Sequence, residues 1–101
     1  MSLSNTSFST PALRKLSHSN VTLTLAYQTV ISPRVLPERR VVIAIQNKSQ
    51  TAYIEAVFNE TDTAGILIAP METFSIDNYN GTVRLKSDTN GSIAHIAIGS
   101  V

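Results

Sequence analysis

The clearest pattern in this chain is the alternation of apolar and polar residues, which has the two-residue period of a β-strand. It is densest in the middle of the chain, where Val41, Ile43 and Ile45 occupy alternate positions and residues 52–58 alternate again. β-Branched residues crowd the first of these runs, as a half-buried pleated surface favours. The intervening polar residues 47–50 are turn formers. We therefore predict a central strand and its hairpin partner.

Further strands are predicted on both sides of this pair. Residues 21–31 alternate along their length, with Val21, Leu23 and Leu25 on one face, and predict one long strand with a polar side. Two prolines predict a loop over residues 32–38, because proline removes a ladder donor. Turn signals about every ten residues are typical of an antiparallel β-sandwich or jelly roll, so we predict an all-β fold of about seven strands. Its later strands are predicted at 66–68, 73–77, 82–86 and 92–98.

The first 19 residues differ from the rest of the chain in composition. They are rich in Ser and Thr and carry only scattered apolar side chains. We predict an extended N-terminal arm over residues 1–19 and a β-sandwich domain over residues 20–101. Two alternatives stay open for the arm, a disordered tail or a segment that becomes ordered on a neighbouring subunit. The apolar residues of the arm are Leu3, Phe8, Leu13 and Leu16.

Composition narrows the range of partners. A chain of 101 residues accommodates one domain of this kind. Charged residues make up 15%, below the roughly 25% typical of soluble domains, which favours contact with other proteins. The net charge of +1 gives no basic field for nucleic acid, and the absence of cysteine excludes disulfides and thiolate chemistry. Neither a signal peptide nor a membrane span is recognisable, so we expect synthesis inside the cell.

The residue types that carry catalysis do not form a recognisable set. A metal site needs several converging ligands, and the chain has only His18 in the arm and His95 in the last predicted strand. The carboxylates, apart from Glu55, lie in or beside predicted turns, and no spacing singles out a pair for hydrolysis. We therefore expect no enzyme activity, no metal and no cofactor, and we interpret His95 as a packing or interface residue.

Two small groups of residues are candidates for binding. Arg39 and Arg40, with Arg34 nearby, form a basic cluster, but neighbouring residues on a strand point to opposite faces and do not make one patch.

Tyrosines form the second group and bear on sugar binding, because aromatic rings stack on sugar faces. Of Tyr27, Tyr53 and Tyr79, only Tyr79 falls in a predicted turn, where a ligand is expected to reach it.

A combination of three motifs marks the part of the chain from about Pro33 to the end. The first is a strand of basic and then apolar residues that ends in Gln-Asn, at 39–47. The second is a glycine, three apolar residues and Ala-Pro-x-Glu, at 65–72, in which Met71 stands where a glycine is more usual. The third is a Gly-x-apolar strand at 81–85. Together these motifs resemble a pattern found in small structural proteins of tailed bacteriophages.

The resemblance implies a β-sandwich that serves as a capsid decoration (cement) protein, a head fibre or a tail component. Our leading hypothesis from the sequence is a capsid decoration protein of the virion, made in the host cytoplasm. It would self-associate as a trimer and bind the major capsid protein. The alternative is a tail or fibre module that recognises a host glycan. Neither membrane nor nucleic acid is an expected partner. The residues expected to make partner contacts are Leu3, Phe8, Leu13, Leu16, Arg34, Arg39 and Tyr79.

Overall fold

The computed structural model describes residues 15–33 and 40–100. Within these ranges the chain forms eight β-strands joined by turns and loops, and it has no helix long and apolar enough to cross a membrane. The prediction of an all-β fold is confirmed. The strands are β1 (Lys15–Thr22), β2 (Gln28–Ile31), β3 (Arg40–Asn47), β4 (Ile54–Val57), β5 (Ile66–Ile68), β6 (Thr73–Asp77), β7 (Val83–Ser87) and β8 (Ile93–Ser100).

The strands form two four-stranded antiparallel sheets. The first sheet has the order β1-β8-β3-β6, and the second has the order β2-β7-β4-β5. Four of the pairings join the two halves of the chain in reverse order, since β1 pairs with β8, β2 with β7, β3 with β6 and β4 with β5. The chain is thus doubled back on itself around the β4–β5 loop.

A single apolar core lies between the two sheets. Because side chains alternate across a strand, about every second residue of a strand points into this core. Burial of these side chains supplies the main stabilising term, about 25 cal/mol for each Å² removed from water. The buried core residues are Leu23, Ile31, Ile43, Ile45, Ile54, Ala56, Ile68, Val83, Leu85, Ala94 and Ile96.

The prediction that residues 39–47 and 52–58 form a hairpin is wrong. Each segment contains a strand, but β3 lies in the first sheet and β4 in the second, so they do not pair with each other. The partners of β3 are β6 and β8, and those of β4 are β5 and β7. The chain between them crosses from one sheet to the other.

Asn47 explains why this connection crosses between sheets. The residue ends β3, and its side chain is fully buried. The carboxamide nitrogen donates to the carbonyl oxygens of Ala52, at 2.8 Å, and Ile68, at 3.0 Å. Its oxygen accepts from the backbone nitrogen of Ser49 at 2.9 Å. One side chain therefore joins the end of the first sheet to the start of β4 and the end of β5 in the second.

The prediction of one long strand over residues 21–31 is also wrong. The segment is divided between β1 in the first sheet and β2 in the second. Leu23 lies at the crossing and is fully buried, and its backbone nitrogen donates to Ser92 O at 2.7 Å. One residue later, the Thr24 carbonyl accepts from the backbone nitrogen of Ser87, at the end of β7. The predicted face is not kept through the crossing, since Leu23 points into the core whereas Leu25 is exposed.

The four later strands lie where the sequence predicts them, as β5 to β8. Met71, in the turn between β5 and β6, has a φ of 65°, which is the left-handed region that favours glycine. Met71 therefore has the backbone conformation that a glycine at this position of the motif would adopt.

The structure places part of the predicted arm in the first sheet. Residues 15–19 belong to β1, which pairs with β8 from Lys15 opposite Ser100 to Thr22 opposite Ile93. Residues 1–14 lie outside the described residues.

Replacement of Asn47 tests whether this carboxamide holds the two sheets together. We expect Asn47→Ala to lower the free energy of unfolding by about 3 kcal/mol, because two carbonyls and one amide lose their buried partner. Asn47→Asp should cost at least as much at neutral pH, since a carboxylate would face two carbonyl oxygens. Urea unfolding followed by circular dichroism measures both. Asn90→Ala, at an exposed turn, is the control and should change stability by less than about 0.5 kcal/mol. Equal stability of Asn47→Ala and wild type would contradict this role.

Candidate binding surface

The outer face of the second sheet carries a compact group of aromatic and charged side chains. Arg84 and Lys86 project from β7, and the ring of Tyr27 lies over both of them. The Arg84 guanidinium carbon is 5.0 Å from the ring centroid, and the Lys86 ammonium nitrogen is 4.7 Å from it. Both distances are within the range of cation–π attraction. The two cations are thus held in place against the sheet.

Glu55 on β4 completes this group. Its carboxylate accepts from the backbone nitrogen of Gly65 at 2.7 Å and lies 3.8 Å from the Lys86 ammonium group. The Gly65 hydrogen bond, then a hydrogen bond with the Tyr27 hydroxyl and then the charge of Lys86 hold the pKa of Glu55 below its ordinary value of 4.5. Burial and then the neighbouring Glu55 carboxylate raise the pKa of Tyr27 above its ordinary value. Glu55 is therefore the charged member of the pair at neutral pH.

Gly65 allows the β4–β5 loop to lie directly on β4. A Cβ atom at this position would be 2.0 Å from the carbonyl oxygen of Ala56, so no other residue type fits without movement of the backbone. The loop is also held from the opposite side, since Arg84 donates to the carbonyl oxygens of Asn59, at 2.9 Å, and Asp62, at 2.8 Å. These contacts bring the Gly65 amide to Glu55.

A groove of about 570 Å³ lies beside this group, and we refer to it as the outer groove. Three large apolar side chains line it and stay open to solvent: Leu25 is 61% exposed, Tyr53 47% and Leu67 63%. The polar part of its lining is Glu55, Lys86, Ser87 and Asp88.

Tyr53 is a rigid part of the outer groove. Its backbone nitrogen donates to the Asp88 carboxylate at 3.1 Å, and its carbonyl oxygen accepts from the Asp88 backbone nitrogen at 3.1 Å. The backbone N–H and C=O groups of Tyr53 are therefore both hydrogen-bonded. This fixes the backbone that carries the ring and lowers the entropy cost of binding.

The residues predicted to contact partners fall into two groups. Leu3, Phe8, Leu13, Arg34 and Arg39 lie outside the described residues. Leu16 lies on β1, where its side chain is exposed, and Tyr79 lies between β6 and β7.

Tyr79 is partly buried, contrary to the expectation that it is the tyrosine a ligand can reach. Its ring packs edge-on against Phe58, with centroids 5.6 Å apart, and contacts the core. Its hydroxyl lies against the carbonyl oxygens of Phe58 and Thr82. Gly81 makes room for the ring, because a Cβ there would be 2.5 Å from the Tyr79 hydroxyl. The open tyrosine is Tyr53, which the sequence placed on a strand.

Two histidines meet on the outer face of the first sheet. The Nδ1 atom of His18 lies 3.1 Å from the Nε2 atom of His95, and the Nδ1 atom of His95 lies 2.6 Å from the Asn20 amide oxygen. Sequence reasoning missed this pair because it assigned His18 to the arm. In the part of the chain that the structure describes, no group of three or more His, Cys, Asp or Glu residues is placed to hold a metal ion.

The long strand β1 forms one edge of the first sheet. All eight of its residues except Val21 are exposed, and seven of them are uncharged. Among residues 15–33 and 40–100 no strand pairs with the outer edge of β1, and such an edge can take up a further strand.

The lowered pKa of Glu55 predicts a pH-dependent contribution to stability. Above about pH 4.5 the carboxylate is charged in both folded and unfolded chains, and its favourable contacts stabilise the fold in full. As the pH falls below 4.5 the unfolded chain takes up the proton first, so this stabilisation is lost. We expect Glu55→Gln to be less stable than wild type at pH 7 and the difference to shrink towards pH 3. Urea titrations across this range measure it, with Glu60→Gln in the neighbouring loop as control. A constant difference would contradict the assignment.

The comparisons with known proteins give no family for the chain. No protein-family model matches it, and a search of curated proteins finds no match. The outer groove, the edge of β1 and the histidine pair are therefore the features from which function has to be argued.

Proposed function

We propose that this protein is a structural component of a virion, a capsid decoration protein that binds the major capsid protein. The phage-like motifs of the sequence support this proposal, and so does the finer fold that we infer, a jelly roll. The reversed pairing of the two chain halves is what is expected when a doubled chain rolls into two facing sheets. Jelly rolls occur in viral capsid proteins and in lectins. One fold hosts many functions, so the surface must decide between them.

The observation that carries the proposal is the outer groove. Leu25, Tyr53 and Leu67 expose large apolar side chains beside one another on a rigid sheet, which is the chemistry of a protein contact. Glu55 and Lys86 lie 3.8 Å apart, and the Asp88 carboxylate accepts from the backbone nitrogen of Tyr53, so each of these charged groups keeps a bonding partner when another protein covers the groove. A subunit of the shell that presents an apolar side chain with polar neighbours fits this groove.

The edge of β1 provides a second contact in the proposal. Leu16 is exposed on this strand, and the outer edge of the strand suits pairing with a strand of another copy or of the shell. Self-association as a trimer and further contacts from Leu3, Phe8, Leu13, Arg34 and Arg39 remain part of this proposal.

Shell binding can be tested with a charge placed in the outer groove. We expect Leu67→Glu to weaken binding to undecorated shells by about 30-fold or more, because a buried charge would replace an apolar anchor. Co-sedimentation of shells with increasing protein measures the occupancy. Ile93→Glu, on the outer face of the first sheet, carries the same charge change on the opposite side and should bind as wild type does. Undiminished binding of Leu67→Glu would exclude the outer groove as the docking surface.

A second candidate function is recognition of a host glycan in the outer groove. The observation that favours it is the exposed Tyr53 ring beside the carboxylates of Glu55 and Asp88. Sugars stack on aromatic rings, and their hydroxyl groups donate hydrogen bonds to carboxylates.

A glycan array distinguishes the two functions. For a glycan-binding module we expect saturable binding to a defined glycan that Tyr53→Ala abolishes and Tyr53→Phe retains, since the phenyl ring still stacks. Binding to shells that carry no glycan, with an empty array, would instead support the decoration role.

A further inference from the structure

We propose that His18 and His95 form a binding site for one divalent transition metal ion, such as zinc, on the outer face of the first sheet. The two imidazoles come from neighbouring antiparallel strands, β1 and β8; His18 is exposed and His95 is half-buried. This site is separate from the outer groove and does not depend on the proposed function.

The distance between the two ring nitrogens suits a shared metal ion. Nitrogen ligands lie about 2.0–2.1 Å from zinc, so two of them at about 95–110° to each other are about 3.0–3.4 Å apart. The Nδ1 atom of His18 and the Nε2 atom of His95 are 3.1 Å apart. In this structure the contact is a hydrogen bond in which the Nδ1–H group of His18 donates to Nε2 of His95. When the proton of a neutral His18 ring lies on its Nε2 atom instead, both facing nitrogens have lone pairs that one ion can share.

Asn20 sets the tautomer of His95 that a metal requires. Its amide oxygen lies 2.6 Å from His95 Nδ1 and can only accept, so that nitrogen carries the proton. In a neutral ring this leaves the lone pair on Nε2, the atom that faces His18. Histidines that bind metals commonly donate their other N–H to such an oxygen, which orients the ring.

The strand pairing holds the two rings in place before any ion binds. Asn20 lies opposite His95 in the ladder, and His18 lies opposite Ala97, so the two histidines are diagonal neighbours on one face. Ala97 is small and leaves space beside the His18 ring. Gln46 lies opposite His95 on β3, and its amide oxygen or water can fill a remaining position.

The donor set selects the class of metal. Imidazole nitrogen suits zinc, copper and nickel, whereas magnesium and calcium prefer several oxygen ligands. An ion held by both rings would also connect the edge strand β1 to β8, so metal binding would stabilise the attachment of β1.

Titration of zinc chloride into the full chain without a polyhistidine tag tests the site. Isothermal titration calorimetry should give one zinc ion per chain, and His18→Ala and His95→Ala should each bind zinc at least about ten-fold more weakly. Asn20→Ala should weaken binding by about ten-fold through loss of ring orientation. Thr22→Ala, exposed on the same strand, is the matched control and should bind as wild type does. Equal zinc affinity in His18→Ala and wild type would overturn the proposal.

A second measurement on the wild-type protein keeps the test independent of how the variants fold. In nuclear magnetic resonance spectra the imidazole signals of both histidines should shift together with added zinc and stay unchanged with magnesium. The backbone amides of β1 should exchange with solvent more slowly once zinc is bound. Zinc that leaves both imidazole signals in place would show that no such site exists.

Discussion

The buried carboxamide of Asn47 is the contact on which the arrangement of the two sheets depends. It stands at the end of β3 and donates to carbonyl oxygens at the start of β4 and at the end of β5. A polar side chain in a core is tolerated only when its groups are paired, and here the two amide protons and the oxygen all have partners. Because Ile68 belongs to the second sheet and Ala52 lies just before β4, these bonds direct the chain at residues 47–52 to the second sheet instead of back beside β3.

The outer faces of the two sheets have different chemistry. On the second sheet, Lys86 lies 3.8 Å from Glu55 and Arg84 donates to the carbonyl oxygens of Asn59 and Asp62, so these charged groups already have partners. What stays open is the apolar lining of the outer groove. On the first sheet, β1 and β8 present the histidine pair together with the exposed apolar side chains of Leu16 and Ile93. A partner protein or a sugar suits the outer groove on the second sheet, and a metal ion suits the histidine pair on the first sheet.

The candidate site shows where sequence reasoning reaches its limit. The sequence predicts a strand at Tyr53 and a turn at Tyr79, and only this difference predicts which ring is accessible. Tyr79 nevertheless packs against Phe58 and the core, whereas Tyr53 lines an open groove. A turn residue is buried when the chain folds over it, and local sequence carries no information on that. The histidine pair was missed for a similar reason, since His18 and His95 are 77 positions apart and meet only through the β1–β8 ladder.

The sequence by itself determined that the chain forms strands separated by turns, and where β5 to β8 lie. These properties are local, because alternation has a period of two residues and a turn is specified by its own residues. Only the tertiary structure decided which strands pair. Alternation indicates which side of a strand faces a core, but two sheets that face each other share one core. The alternation of residues 21–31, and of the two runs on either side of Asn47, is therefore the same whether the chain stays in one sheet or crosses to the other. That choice depends on long-range hydrogen bonds, those of Leu23 to Ser92 and of Asn47 to Ile68.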